Sequence, residues 1–139
     1  MIPSWAGAYI DIPWREKGRD HDGADCWGLM RLVMRERFGV MLPSYDEDYA
    51  TVGERELIAA LLTDGIPECG WTPAERPYRE GDGVVFRLLG GPWHVGVMLD
   101  DDFFLHADQD AGVSCIGRIS AARWARRIYG VFRLAVITP

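Results

Sequence analysis

The sequence predicts an α+β domain in which N-terminal helices pack on one face of an antiparallel β-sheet. In the first half of the chain, apolar residues recur at helical spacing. After Gly83, short segments rich in β-branched and aromatic residues are separated by turns. Helices that precede strands, rather than alternate with them, are typical of α+β domains. A chain of 139 residues, 48% hydrophobic and 26% charged, is expected to form a single domain, residues 1–139, around one core.

The first half contains two segments with helical periodicity. Residues 27–38 form the first, and Gly39 follows it as a natural stop. Residues 54–65 form the second, which Gly65 closes. The prolines and glycines that come next, up to Gly83, predict an ordered loop or short turns rather than a regular element.

The second half predicts an antiparallel meander of short strands, separated by the turn sequences "GGP", "DDD" and "DQDAG". A short helix is expected at "ISAARWARR", just before the last strand. The predicted strands cover residues 84–89, 93–99, 103–107, 112–116 and 129–134.

Charge and hydropathy argue against several classes of protein. The net charge of −6 leaves no basic surplus to neutralise phosphates, so we expect no nucleic-acid partner. No apolar run in the sequence is long enough to cross a bilayer. The first 18 residues lack the basic and apolar regions of a secretory signal. We therefore expect a protein that is made in the cytoplasm and does not insert into a membrane.

The chain has three cysteines, Cys26, Cys69 and Cys115. Because the number is odd and no secretory signal is visible, we expect no disulfide framework and at least one free thiol, although a Cys69–Cys115 pair stays open. Zinc is the competing use of cysteine and histidine. The spacings repeat no C-x-x-C or H-x-x-x-H pattern, and we expect neither a metal nor another cofactor.

Cys26 has the position of a nucleophile, directly after Asp25 and at the start of the first helical segment. A thiol in the first turn of a helix lies at the positive end of the helix dipole, which stabilises the reactive thiolate. The backbone N–H groups there could also donate to an oxyanion. The alternative is a small buried apolar residue, the common role of cysteine in a core.

A cysteine nucleophile needs a base and a group that orients it, and two histidines lie on neighbouring predicted strands. His94 belongs to "WHVGVML" and His106 to "FFLHA". If the three residues 100–102 form the loop, Gly96 faces His106 and both imidazoles lie on one face of the sheet; a two-residue loop would separate them. The alternative is that each is a surface or satisfied core histidine.

The remaining polar groups have simpler interpretations. His21 lies in "RDHDG" and is read first as loop surface and second as a residue at the rim of a cleft. Four arginines near the C-terminus form either a solvated face or an anchor for an acidic glycan or a partner protein: Arg118, Arg123, Arg126 and Arg127.

Taken in order, four motifs resemble a known family. "DCWGL" opens a helix, "EGDGVVF" and "HVGVML" follow as strands, and "FLHA" places the second histidine twelve positions after the first. The set is similar to the NlpC family of cell-wall cysteine peptidases. The similarity extends upstream to "IPWREKGRDHDGADC" and downstream to "WARRIYGVFRL". Within the family it looks most like the short peptidases encoded with phage tails and gene transfer agents.

This resemblance implies a papain-like α+β fold and hydrolysis of amide bonds in peptidoglycan stem peptides, often between D-glutamate and a diamino acid. By position, Cys26 matches the nucleophile, His94 the base and His106 the orienting residue. Asp25 matches the acid that binds the free amino end of the stem peptide. The implied partners are the stem peptide and tail or hub proteins of a phage-like particle, and the implied place of action is the periplasmic cell wall.

The chain departs from the family pattern at two positions. Trp27 stands where a small serine that helps to bind the amino end of the stem peptide is common, and Trp14 stands where a tyrosine hydroxyl lies near the oxyanion. The resemblance therefore implies that Trp27 and Trp14, like Asp25, contact the substrate. An indole N–H donates one hydrogen bond but accepts none. Two other functions remain open: a tail-tip structural or wall-binding module without turnover, and a thiol acyltransferase or amidase.

Overall fold

The computed structural model describes residues 1–42, 71–87 and 93–134. One long helix and a six-stranded antiparallel sheet dominate it, with a 3₁₀ helix at Ser4–Tyr9 and a two-stranded ribbon before the long helix. The helices are α1 (Cys26–Phe38) and α2 (Ala122–Ala125). The strands are β1 (Arg19–Asp20), β2 (Gly23–Ala24), β3 (Trp71–Pro73), β4 (Gly83–Arg87), β5 (Trp93–Met98), β6 (Phe103–Asp108), β7 (Val113–Arg118) and β8 (Ile128–Leu134).

The order of strands in the large sheet is β3-β8-β4-β5-β6-β7. The predicted meander is confirmed from β4 to β7, and β8 then returns to pair with both β4 and β3. The expectation of loop or turns before Gly83 is wrong for Trp71–Pro73, because the partner that makes this segment a strand comes from the end of the chain. The predicted helix at 54–65, residues 88–89 of the first predicted strand and Cys69 lie outside the described residues.

Helix α1 has well-defined ends. Asp25 caps its first turn, and Gly39 follows its last residue with φ 69°, the left-handed conformation that glycine adopts without strain. The short helix predicted before the last strand is present as α2. Among the described residues, no helix is long and apolar enough to cross a membrane.

Both faces of the sheet are covered. On one face α1 packs on β5 and β6, and Val85 of β4 joins Val97 and Leu105 in the shared core. On the other face a second core lies around Phe86, Phe104 and Trp124 of α2. Strand residues therefore alternate between the two cores, and this alternation decides where each polar side chain of β5 and β6 points.

Candidate active site

Asp25 sets the start of α1 and so the position of Cys26. The Asp25 backbone is extended, and its Oδ1 accepts a hydrogen bond from the Gly28 N–H at 2.7 Å, while its carbonyl accepts from the Leu29 N–H at 2.8 Å. This is the geometry of a helix N-cap, which satisfies a donor of the first turn. Cys26 is consequently the first residue of the helix, as predicted, and it is 3% exposed.

The Asp25 carboxylate is fully buried and held by the protein's own donors. Besides Gly28, the Lys17 N–H donates to Oδ2 at 2.8 Å and the Arg19 guanidinium to Oδ1 at 3.0 Å. Burial raises the pKa of Asp25, and Arg19 together with the two N–H groups opposes that shift. The structure thus gives Asp25 a capping role; its binding to a substrate amino group stays a prediction, one that requires these donors to give way.

The two tryptophans that depart from the family pattern differ in exposure. Trp27 is 5% exposed and belongs to the core under α1. Trp14 is partly buried, and its backbone forms a parallel bridge with Ala24, two residues before Cys26. Their roles in substrate binding stay predictions.

Residues 11–14, here called the strap, connect the start of α1 to the sheet. The Asp11 N–H donates to the Ser114 carbonyl at 3.0 Å, and the Trp14 N–H donates to the Gly112 carbonyl at 2.8 Å. The strap therefore borders the beginning of β7 and, through its bridge to Ala24, leads to Cys26.

His94 lies at the same end of the sheet. The beginning of β7 pairs with the end of β6, at Asp108. Because β5 and β6 are antiparallel, the end of β6 lies beside the start of β5, where His94 is the second residue. The strap thus brings Cys26 to the end of the sheet at which His94 is found.

The two histidines form a hydrogen bond with each other. His94 Nε2 and His106 Nδ1 are 2.8 Å apart, and the rings are 9% and 2% exposed respectively, counted over the whole residue. The strands register Met98 opposite Phe104, and residues 100–102 form the connection. Two predictions are thus confirmed: the loop has an odd number of residues, and both rings lie on the same face of the sheet. The catalytic roles of the rings stay predictions.

The face of the sheet that carries the rings is the one away from α1. Val95 and Val97 belong to the core under the helix, so alternation directs His94 to the opposite face. There its ring stacks on Trp124, with centroids 5.7 Å apart and planes 17° apart. A contact between Cys26 and His94 therefore has to form around the end of the sheet rather than across its face.

Burial keeps both imidazoles neutral at pH 7. It lowers the pKa of His94 to about 3, helped by the neighbouring His106, and it lowers the pKa of His106 to about 4. Two neutral rings share one proton in their hydrogen bond, which allows two arrangements. In the first, His94 donates from Nε2 and keeps a lone pair on Nδ1; in the second, His106 donates from Nδ1 and the proton of His94 is on Nδ1.

Three further residues surround His106 and were not singled out from the sequence as site residues. Cys115 Sγ lies 3.6 Å from His106 Nε2, and Arg123 donates to Asp108 Oδ2 at 3.2 Å. Burial raises the pKa of Cys115. Burial also acts to raise the pKa of Asp108, but the hydrogen bond from Arg123 and other neighbours hold it below its usual value. The alternating pattern of β6 and β7 was the signal that could have placed Cys115 opposite His106.

His21 and two of the C-terminal arginines have partners in the protein. His21 contacts Glu36 at 2.8 Å, away from the histidine pair. Arg118 pairs with Asp102 at 2.7 Å and Arg123 with Asp108, so the expectation of a merely solvated face is incomplete for these two.

Comparisons with known proteins show the family to which the chain belongs and the fold that it shares with solved structures. A family model described as "NlpC/P60 family" matches residues 11–133. The chain is 32% identical over 83 residues to "Tail tip assembly protein K" of Escherichia phage N15, covering 59% of this chain and 34% of that protein. It is 28% identical over 123 residues to "Murein DD-endopeptidase MepS/Murein LD-carboxypeptidase" of Escherichia coli K12, covering 88% and 54%. The chain thus spans about a third and about half of these two relatives.

Solved structures show the fold. The NlpC/p60 domain of the peptidoglycan hydrolase SagA superposes with a TM-score of 0.58 at 20% identity, covering 93% of this chain and 92% of that domain. The predicted papain-like α+β architecture is confirmed.

Proposed function

The chain belongs to the NlpC/P60 family, and on that premise we propose that it is a cysteine peptidase acting on amide bonds in peptidoglycan stem peptides. In this proposal Cys26 is the nucleophile, His94 the base and His106 the residue that orients His94. The observation that carries it is the 2.8 Å hydrogen bond between two buried histidines, at the end of the sheet where α1 begins with Cys26.

The chemistry follows from the arrangement of protons. With His94 donating from Nε2 to His106, the lone pair on His94 Nδ1 accepts the Cys26 proton as sulfur attacks the carbonyl carbon. The positive end of α1 stabilises the charge that develops on the carbonyl oxygen. The amide C–N bond then breaks, Nδ1 returns the proton to the leaving amine, and water hydrolyses the thioester. The hydrogen bond from Nε2 to His106 persists throughout, so the ring keeps its orientation.

The substrate and setting extend the proposal. We expect an endopeptidase that cuts between D-glutamate and the diamino acid, within a phage-tail-like or gene-transfer-agent particle that opens the cell wall. The similarity to a phage tail tip assembly protein supports the particle, and the similarity to a murein endopeptidase supports the substrate class.

One observation favours a second candidate, a tail-tip structural or wall-binding module without turnover. Cys26 is only 3% exposed, and a buried thiol reacts slowly unless the site opens. Alkylation separates the two: a peptidase thiol reacts with iodoacetamide at neutral pH, and an inert one does not. A thiol acyltransferase or amidase would instead transfer the acyl group to acceptors other than water.

The deciding experiment treats purified sacculi with the wild type, with Cys26→Ala and with Cys69→Ala as a matched loss of one thiol. Released fragments are identified by mass spectrometry. We expect the same stem-peptide fragments from the wild type and Cys69→Ala, and none from folded Cys26→Ala. Equal release by Cys26→Ala would remove Cys26 from the mechanism. If the wild type releases no stem-peptide fragments and its Cys26 does not react with iodoacetamide, the structural module is favoured.

A further inference from the structure

Cys115, His106 and Asp108 form a cluster beside the histidine pair. The thiol sulfur, a ring nitrogen and a carboxylate oxygen of these residues all lie within 4.8 Å of one another. Cysteine, histidine and aspartate are all side chains that bind zinc in proteins, as glutamate also does. The three residues come from two adjacent strands, with His106 directly opposite Cys115.

The spacing of nitrogen and sulfur already fits a tetrahedral metal. With Zn–N and Zn–S bonds of about 2.1 and about 2.3 Å at the tetrahedral angle, the two ligand atoms would be about 3.6 Å apart. Cys115 Sγ and His106 Nε2 are 3.6 Å apart. An N–H···S hydrogen bond explains the same distance, so the two interpretations differ in whether Nε2 carries a proton or a metal.

The cluster is reachable and its charge suits a divalent cation. Cys115 is partly exposed on β7, the last strand of the sheet among the described residues. The side chain of Arg123, which contacts Asp108, is 53% exposed. The Cys115 thiolate and the Asp108 carboxylate supply two negative charges to the ion. Arg123 on Asp108 Oδ2 and two backbone N–H groups on Oδ1 can remain as outer donors that orient the carboxylate.

We propose that Cys115, His106 and Asp108 bind one Zn²⁺ ion, with water in the fourth position, and that this ion switches off His94. Coordination releases the Cys115 proton to solvent and requires the lone pair of His106 Nε2. The proton of His106 is then on Nδ1, where it donates to His94 Nε2. His94 must carry its own proton on Nδ1, so the lone pair that would accept the Cys26 proton is lost.

Neither ring gains or loses a proton overall; only the nitrogen that carries it changes. The binding of zinc is independent of the proposed peptidase activity, whereas its inhibitory consequence rests on His94 acting as the base. His94, which the His106 ring separates from the metal, is thereby controlled without the ion touching Cys26 or the substrate.

Binding is tested in the Cys26→Ala protein, because Cys26 is itself a thiol that attracts zinc. Calorimetric titration with Zn²⁺ should give one site per chain. Adding Cys115→Ala should weaken that site at least about tenfold, a loss of about 1.4 kcal/mol or more, whereas adding Cys69→Ala should leave it unchanged. If Cys115→Ala does not fold, Cys115→Ser replaces it, since a hydroxyl is a poor zinc ligand. Equal zinc affinity with and without Cys115 would overturn the site.

The switch is tested by ¹⁵N NMR of the imidazoles in the same Cys26→Ala protein. Zinc should move the proton of both rings from Nε2 to Nδ1. If zinc binds but His94 stays protonated on Nε2, the proposed switch is overturned and the proposed zinc site stands.

Inhibition is measured on sacculi with proteins that retain Cys26, each relative to its own metal-free rate. Zinc inhibition should require at least about tenfold more metal in Cys115→Ala than in Cys69→Ala. Equal inhibition of both would mean that zinc acts at Cys26. If the wild type hydrolyses nothing but shows Cys115-dependent binding and the proton shift, the proposed function fails and the metal site stands.

Discussion

Lowering the pH from 7 to 5 should destabilise this protein, because two neutral histidines are buried in contact with each other. In the unfolded chain a histidine has a pKa of about 6.5. In the folded protein burial lowers the pKa of His94 to about 3 and of His106 to about 4. Since the unfolded state then binds more protons, the contribution of each ring to stability is complete above pH 6.5 and is lost as the pH falls towards 4 and 3.

The magnitude follows from these values. Each pH unit below the unfolded pKa costs about 1.4 kcal/mol per histidine until the folded pKa is reached. Between pH 7 and pH 5 each ring should therefore lose about 2 kcal/mol of stabilisation, or about 4 kcal/mol for the pair. A typical domain has only about 5–15 kcal/mol in total, so the change is large.

The assay is urea unfolding at pH 7, 6 and 5, followed by tryptophan fluorescence. The free energy of unfolding should fall by about 4 kcal/mol in the wild type, and by about half as much in His94→Gln or His106→Asn, which each keep one titrating ring. The comparison uses the change with pH, not the absolute stability, because each substitution also disturbs the core. A wild-type stability that is unchanged between pH 7 and pH 5, or an equal fall in all three proteins, would refute the reasoning.

Three substitutions test the surroundings of the site. Asp25→Ala removes the cap of α1 and leaves buried donors without a carboxylate, so calorimetry should show a loss of about 3 kcal/mol; a loss under 1 kcal/mol would contradict the capping role. Gly28→Ala directs a methyl group into the carbonyl oxygen of Gly18, and we expect a drop in melting temperature of several degrees; an unchanged melting temperature would show that the loop moves freely. Trp124→Leu removes the ring on which His94 stacks, so kcat/KM on a stem-peptide substrate should fall at temperatures where the protein is folded; full activity would show that the stacking does not position the imidazole.

Local features of the chain were enough to predict the parts of the fold that depend on neighbouring residues. The periodicity before Gly39 predicted α1, and the turn residues after Gly83 predicted the meander. The contact between His94 and His106 could be predicted from the length of the loop that joins their strands. Side chains alternate between the two faces of a sheet, so a loop with an odd number of residues places both rings on the same face.

What the sequence did not reveal depends on partners that are distant in the chain. Trp71–Pro73 is a strand only because β8 returns beside it. The spacing of Cys115 from His106 resembles no metal motif, since strand pairing, not a local turn, brings the two side chains together. The involvement of Asp25 with Lys17 and Arg19 likewise arises from a loop folding back onto the helix start.

The strap, residues 11–14, both covers an outer strand of the sheet and positions Cys26. The strap covers the first half of β7, which is the last strand of the sheet among the described residues. An uncovered outer strand can pair with strands of other molecules. The strap also leads to Cys26 and helps to fix the position of its thiol. If residues 11–14 detached from the sheet, Cys26 would lose its fixed position and the outer strand β7 would be exposed at the same time. Displacement of Cys26 and self-association should therefore arise together, and stabilising the strap should suppress both.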